Sequence, residues 1–470
     1  MTILSMEIAG YRGFIASQTV NFAVPNGKLG SGLTIITGAN NSGKSTILEC
    51  LRARNGHQSP VFSDDVINSN TDYISIKYTF KRHAGEDDSN STLIEEVKSV
   101  RKGASQSVRT GYDASDKTRQ ICLVPSRRSF EPFFHGTPGS RHSYIANSGL
   151  PPLRMPSLTN FYERLLEIEA GDPGPFNELL SEVLGFKPSW SVRMGGTGAS
   201  FVRIDNRGHV HSTDGLGEGV VGLFALIDAL RDMPKDGTVV VDEPELSLHP
   251  ALQRRLAKLL SRLASEHQII YATHSPYFVD LPSVVNGAEL VRVVATNNGT
   301  VAYQISQVAR DALSESKPDR SFPHLFGIEA REALFHEDCL ILVEGQEDVF
   351  LYPTVLKELD ISLPGHFFGW GSHGADRMER LCRVLSGMGY QKVVGILDAN
   401  KRDVCDRLRE SFPQFHFDVI PADDVRDKNA TEGCAIKEGL LDGDNKLRDK
   451  YRVALLATFD GVTSYFGKNP

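Results

Sequence analysis

The sequence has no CxxC pair, no heptad run and no internal repeat, and none of its apolar runs approaches the ~18 residues of a membrane span. Its six cysteines, Cys50, Cys122, Cys339, Cys382, Cys405 and Cys434, are scattered, which argues against a disulfide framework or a structural zinc site and leaves them as reduced packing residues. The start, MTILSMEIAGYRGF, lacks the charged opening and long apolar core of a secretory leader. The expectation is a cytoplasmic protein without membrane contact. An excess of positive charge is missing too: 51 Lys plus Arg stand against 59 Asp plus Glu, a formal charge of -8. Any contact with nucleic acid must then come from local basic patches, and a general DNA-coating role is disfavoured.

At 470 residues the chain is long enough for roughly two to three domains, each able to bury a core. Short β-rich segments alternate with helical ones, which predicts an α/β protein. From Gly85 to Lys117 the composition turns polar and charged, as in solvated hairpin tips or a loop. Between Lys317 and Glu337, KPDRSFPHLF followed by EAREALFHED reads as a proline-marked linker and a short helix. The predicted organisation is residues 1–315 as one domain with a β-rich and helical insertion at about 60–210, 316–337 as a linker, and 338–470 as a second, smaller α/β domain.

LTIITGANNSGKSTILECL, Leu33 to Leu51, is an apolar strand, a GxxxxGKS loop and an amphipathic helix, the order a phosphate loop requires. Gly38 and Gly43 let backbone amides curl round phosphates, Lys44 adds positive charge, and Ser45 offers a hydroxyl to Mg²⁺; Asn41 and Thr46 complete the expected ATP-binding set. TVVVDEPELSLHP, Thr238 to Pro250, puts Asp242 and Glu243 at the end of a β-run, where one carboxylate can hold the metal and the other polarise water. QIIYATHSP ends in His274, whose imidazole could hydrogen-bond a γ-phosphate.

The order GANNSGKST, STDGLGEG, VVVDEPELSLHP, YATHSP resembles the ABC-type ATPase head of the RecF, SMC and OLD group over roughly the first 310 residues. The resemblance implies that Ser212 to Gly219 is the signature loop, with Gly215, Gly217 and Gly219 leading into VVGLFALIDAL. It makes Glu245 to His249 the D-loop and His274 the switch histidine. It also implies a homodimer or a multiple of one, because one subunit's signature closes the nucleotide held by another. The stretch between Lys44 and Ser212 lacks the helical periodicity of SMC arms, which turns the resemblance towards OLD-like proteins. Arg127 and Arg128, in LVPSRRSFEPFF, follow a strand where members of the group that the chain resembles often carry arginine, and they read equally as a solvated basic turn; they receive no catalytic role, and Gln58 is the candidate Q-loop glutamine.

Further along, CLILVEGQEDVFLYPTVL is a buried strand ending in Glu344 and Gly345, then a helix carrying Asp348. FFGWGSHGADRMERLCRVL is a glycine-rich turn into a helix, and VVGILDANK is a strand ending in Asp398, Ala399 and Asn400. Taken alone, DAN suits a metal site or a capped strand end equally. The series resembles the Toprim domain, covering residues 338 to about 421, and implies Glu344 as acid or base with Asp348 and Asp398 as metal ligands. Asn400 stands where that family has a second aspartate, so it would be a neutral ligand. Asp423, Asp424 and Glu432 are possible compensating carboxylates, and Lys428 or a later lysine a supporting cation, but nothing in the spacing selects among them and the stretch reads first as a solvated charged turn.

Three functions remain open. In the first, an anti-phage defence ATPase gates metal-dependent cleavage of nucleic acid. In the second, an ATPase sensor or scaffold controls a separate effector protein, by analogy with the ATPase subunit of the two-protein PARIS system. The third is a RecF-type DNA-repair ATPase.

Overall fold

The computed structural model describes residues 2–54, 60, 62, 65–81, 92–100, 107–111, 121–128, 130, 136–140, 158, 161–196, 198–206, 208–233, 237–315, 324, 327–335, 339–428 and 437–467. The candidate Q-loop residue Gln58, the acid Glu432, and most of the polar tract and linker lie outside these. The chain divides into two compact units, Met1–Ala302 and Tyr303–Pro470.

In the first unit, continuous apolar runs become strands buried on both faces, as a parallel sheet between two layers requires. LTIIT forms β3 (Leu33–Thr37), TVVVD forms β11 (Thr238–Asp242) and QIIYA forms β12 (Gln268–Ala272), every residue of each buried. With β7 (Ile121–Val124), β13 (Glu289–Thr296) and β14 (Gly299–Gln304) they make a six-stranded sheet of order β14-β13-β3-β12-β11-β7. The register pairs Asp242 with Ala272, and Ala272 with Ile36. The loops after β3, β11 and β12 therefore leave one edge side by side, where α/β sheets bind ligands.

A second, antiparallel sheet has the order β2-β1-β4-β5-β6, from β1 (Thr2–Ala9), β2 (Gln18–Asn21), β4 (Tyr73–Lys81), β5 (Thr92–Val100) and β6 (Val108–Thr110). In β4, Ile74, Ile76, Tyr78 and Phe80 alternate inward, the period of a strand with one buried face. α1 (Lys44–Arg54) joins the two sheets: Ile47, Leu48 and Leu51 share one core with Ile8, Ile76, Val240 and Ile270. At its end Arg54 makes a bidentate pair with Glu95 of β5, at 3.0 and 3.1 Å, both side chains nearly fully buried. Gln268, also buried, donates to the carbonyls of Ile3 and Ala23 and accepts from Ile3 N–H and the Thr238 hydroxyl, tying β1, β11 and β12 together.

A helical and β-rich portion carries α2 (Phe161–Ala170), α3 (Gly174–Leu184), β8 (Ser189–Met194), β9 (Ser200–Asn206) and β10 (His209–Ser212). It leads into α4 (Glu218–Arg231), whose Val221–Leu230 stretch is buried on all sides, as suits an interior helix. Arg164 of α2, 1% exposed, holds α4 through both carboxylate oxygens of Asp228 and through Asp232. α5 (Pro250–Leu263) follows β11.

The second unit is a four-stranded parallel sheet of order β16-β15-β17-β18, from β15 (Leu340–Leu342), β16 (His366–Phe367), β17 (Val393–Leu397) and β18 (His416–Val419). Its helices are α6 (Gln307–Ser314), α7 (Gln346–Leu359), α8 (Ala375–Gly387), α9 (Arg402–Ser411) and α10 (Asp449–Gly467). The division between units falls before α6, earlier than the proline-marked tract suggests. The reason is packing: a Cβ at Gly387 would lie 2.5 Å from Ser306 Oγ and 2.8 Å from Ala309 Cβ, so α6 is seated on α8.

Candidate active sites

The phosphate loop folds over its own lysine. Lys44 Nζ donates to the carbonyls of Gly38 (2.9 Å) and Ala39 (2.7 Å), and burial pushes its pKa down to about 8 against the pull of Glu243, Asp242 and Glu245. Gly38 has φ of 143°, and a Cβ there would meet Val293 O at 2.2 Å, so no other residue fits. Gly43 and Asn41 also have positive φ. Ser45 and Thr46 lie in the first turn of α1.

Asp242 ends β11 and is 5% exposed; burial, and next the neighbouring Glu243, push its carboxyl up to about 7, while Ser126 and Arg128 oppose the rise. Glu243 follows with φ of 46° and its N–H on Ala272 O, 2.9 Å, which turns its half-exposed side chain towards His274 (Nε2 to Oε1, 3.9 Å). Burial, then Lys44, depresses the His274 pKa, so the imidazole is neutral at pH 7. Glu245 accepts from Thr273 Oγ1 (2.9 Å) and His274 N–H (2.6 Å), which fastens the loop after β11 to the loop after β12. Burial raises the Glu245 pKa.

The stretch Ser212–Gly219 runs from the end of β10 through a 3₁₀ turn, Thr213–Gly215, into α4. Thr213 pins it by bonds to both main-chain groups of Val202, and a Cβ at Gly219 would meet Ser247 O at 2.2 Å. Gly217 has no atom within 4 Å of its Cβ position, and Gly215 has only His211, at 3.8 Å. His249 caps α5 through Ala251 N–H.

Among the described residues, no group of three or more His, Cys, Asp or Glu side chains stands ready to hold a metal ion. A Mg²⁺ that arrives with phosphates needs only one or two protein oxygens. Asp242 and Ser45 are hard donors of that kind, and three carboxylates crowded beside one lysine favour added positive charge.

In the second unit the register sets Leu342 beside Gly395, so the parallel strands β15 and β17 lead to Glu344 and Asp398 at the same edge, β17 running two residues further. Glu344 Oε1 accepts Asp398 N–H at 2.8 Å, and Asp348 Oδ2 accepts Gly345 N–H at 2.7 Å at the start of α7. Burial drives all three acids upward, Asp348 to about 6 and Asp398 to about 8, with Glu344, Asp424 and Asp348 adding to the rise at Asp398. Asp424, 3% exposed, is paired with Lys428 (2.5 Å) and lies 4.0 Å from Lys437. Asn400 is exposed and its Nδ2 donates to Asp423 O at 3.4 Å. It caps nothing: the residue before α9 is Lys401, which makes no side-chain cap. Asp423 too is exposed.

Two residues lacked a role in the sequence. Arg128 is buried against the turn after β11, where a solvated basic turn was equally expected, and Ser126 bonds Asp242. The sequence leaves Arg128 undecided and Ser126 unmarked, because what each of them meets lies more than a hundred residues away.

Residues 156–280 match a family model described as an AAA domain, putative AbiEii toxin, type IV toxin–antitoxin system, and residues 5–130 match an AAA domain. An OLD nuclease from Thermus scotoductus (strain ATCC 700910 / SA-01) is 34% identical over 174 residues, 35% of this chain and 32% of the relative; the match spans about a third of that relative's length. The solved SMC head bound to the C-winged helix domain of ScpA aligns at 15% identity and a TM-score of 0.45, covering 65% of this chain and 98% of that one. The SMC head domain of Thermotoga maritima aligns at 17% and 0.38, covering 65% and 100%. Both AAA-domain matches fall within the first unit, in a mixed α/β chain in which no described helix is long and apolar enough to cross a membrane.

Proposed function

We propose that the first unit binds and hydrolyses ATP with Mg²⁺. The observation that carries this is the meeting of the Lys44 loop, Asp242, Glu243 and His274 at one edge of a parallel sheet, with Lys44 in the field of the carboxylates. In this reading Gly38, Asn41, Gly43, Lys44 and Thr46 cradle the phosphates, while Ser45 and Asp242 hold the Mg²⁺, which supplies charge neutralisation at the phosphates. Glu243 takes up a proton from the attacking water, and neutral His274 donates to the γ-phosphate. The exposed Gly215 and Gly217 serve the nucleotide of a second copy, so the working form is a homodimer or higher oligomer.

The second unit, in this reading, is a Toprim-like domain whose cleavage of nucleic acid is gated by nucleotide state, within anti-phage defence. Glu344 acts as acid or base, and Asp348 and Asp398 hold the metal. The raised acids of that pocket favour it, since they ionise fully when a cation arrives. A second reading has its own observation: Asn400 turns outward and Asp424 is neutralised by Lys428, so the pocket is short of free anionic ligands. The domain would then dock a separate effector.

ATP turnover by the full chain tests the first claim. Lys44→Ala should lose nucleotide affinity by about a hundredfold or more, and Glu243→Gln should bind ATP while turning it over about a hundredfold more slowly. Undiminished affinity in the first variant, or full turnover in the second, overturns the assignment. Mg²⁺- or Mn²⁺-dependent cleavage that Glu344→Ala abolishes supports the nuclease reading; wild type that cuts neither single- nor double-stranded substrates supports docking.

A further inference from the structure

α4 carries glycine at position 222, and a Cβ there would lie 3.1 Å from Cγ and 3.2 Å from Nε of Arg128. Arg128 is 5% exposed, and its hydrogen bonds end on main-chain carbonyls. Nη1 donates to Pro125, Ser126, Asp242 and Glu243, and Nη2 to Glu243 and Pro244, at 2.9 to 3.4 Å. Two of those oxygens belong to the peptides on either side of Glu243. Glu243 holds φ of 46°, a left-handed conformation that a non-glycine side chain keeps only when its surroundings enforce it.

We infer that Arg128 is a positioning residue for ATP hydrolysis, a buried guanidinium clamp that fixes the Glu243 peptide and links it to α4, the helix that begins at the signature loop. The inference rests on the reading of Glu243 as the water-polarising group. The clamp needs a planar fork, because one ammonium cannot span the carbonyls of Asp242, Glu243 and Pro244 together. Since its bonds go to neutral carbonyls, its charge acts on Asp242, Glu243 and Glu245 jointly. Gly222 is the point of transmission: a shift of α4 presses on the Arg128 side chain, and the Glu243 peptide follows.

The test uses the full chain and reads kcat, KM, affinity for a fluorescent ATP analogue, and melting temperature. Arg128→Lys and Arg128→Met should lower kcat by about thirtyfold or more and leave KM and affinity within about threefold. Gly222→Ala should give the same split, about tenfold in kcat, with no further loss when added to Arg128→Met. Arg128→Met combined with Glu243→Gln should be no slower than Glu243→Gln alone. Should Arg128→Met not fold, Arg128→Lys and Gly222→Ala carry the decision. A folded Arg128→Lys with wild-type kcat overturns the inference, as does a loss in KM alone or a full multiplication of the Arg128 and Glu243 effects. Glu243→Gln at wild-type turnover would instead overturn the reading of Glu243; a slow Glu243→Gln beside a normal Arg128→Lys removes only the clamp.

Discussion

Asp398 sits at the end of β17 with its main-chain N–H on Glu344, and burial followed by three neighbouring acids pushes its carboxyl from 3.8 up to about 8. In metal-free protein the folded state therefore keeps a proton that the unfolded chain has released. Stability is full below the unfolded pKa near 4 and falls as pH rises towards the folded value near 8. Asp398→Asn should remove much of that slope and raise the melting temperature in chelator at pH 8 by about 3 °C, with little change at pH 4. A wild-type melting temperature that does not fall between pH 5 and 8 would refute this. Mg²⁺ should help wild type more than the variant, because only wild type offers the anion. At this scale the sequence was informative where chemistry demands fixed spacing: Lys44, Asp242, Glu243 and His274 come from short motifs with a strand before each, and the fold gathers them at one edge. It was undecided where the fold buries a charge: Arg128, in a stretch that reads equally as a solvated basic turn, and Asp424, in a stretch that reads as a solvated charged turn, are 5% and 3% exposed in the fold.

The elements divide by the same logic. β3, β11 and β12 are legible because both faces are buried and the runs are continuously apolar, and β4 because its apolar residues alternate. β5, TLIEEVKSV, falls in the polar tract and is nevertheless a nine-residue strand of the antiparallel sheet, since Glu95 turns inward to meet Arg54 at the end of α1. Periodicity cannot see that inversion, because the inward position carries a charge. The pair makes a prediction at the level of these two elements. Glu95→Ala leaves a buried guanidinium without its bidentate acceptor and should cost about 3–5 kcal/mol, whereas Arg54→Met with Glu95→Leu should recover most of the loss. Urea unfolding of the single and double variants measures it. A single-variant cost below about 1 kcal/mol would mean that the pair is solvated in the folded protein. The division before α6 was equally illegible: prolines and charges mark 316–337, but what assigns α6 to the second unit is the absence of a side chain at Gly387, which no linker composition announces.

For the whole molecule, the proposed homodimer can be tested at the stretch Ser212–Gly219, the proposed signature loop. Thr213 and Gly219 anchor the two ends of the loop to β9 and to the turn after β11, while Gly215 and Gly217 between them stay exposed, with almost nothing near their Cβ positions. In the function proposed above, this loop, held at both ends and bare in the middle, receives a partner's phosphates. Glu243→Gln, which should trap ATP, should therefore associate in ATP and less in ADP, with the mass read by light scattering. Gly217→Asp puts a negative charge where the γ-phosphate of the other copy would sit. Its neighbourhood is empty, so the fold should tolerate it. In the Glu243→Gln background it should abolish ATP-dependent association and leave ATP affinity of the single chain within about threefold, because the Lys44 loop is untouched. Association that persists in Gly217→Asp, or that is equal in ATP and ADP, would place the oligomer contact elsewhere and leave the signature loop without the role assigned to it.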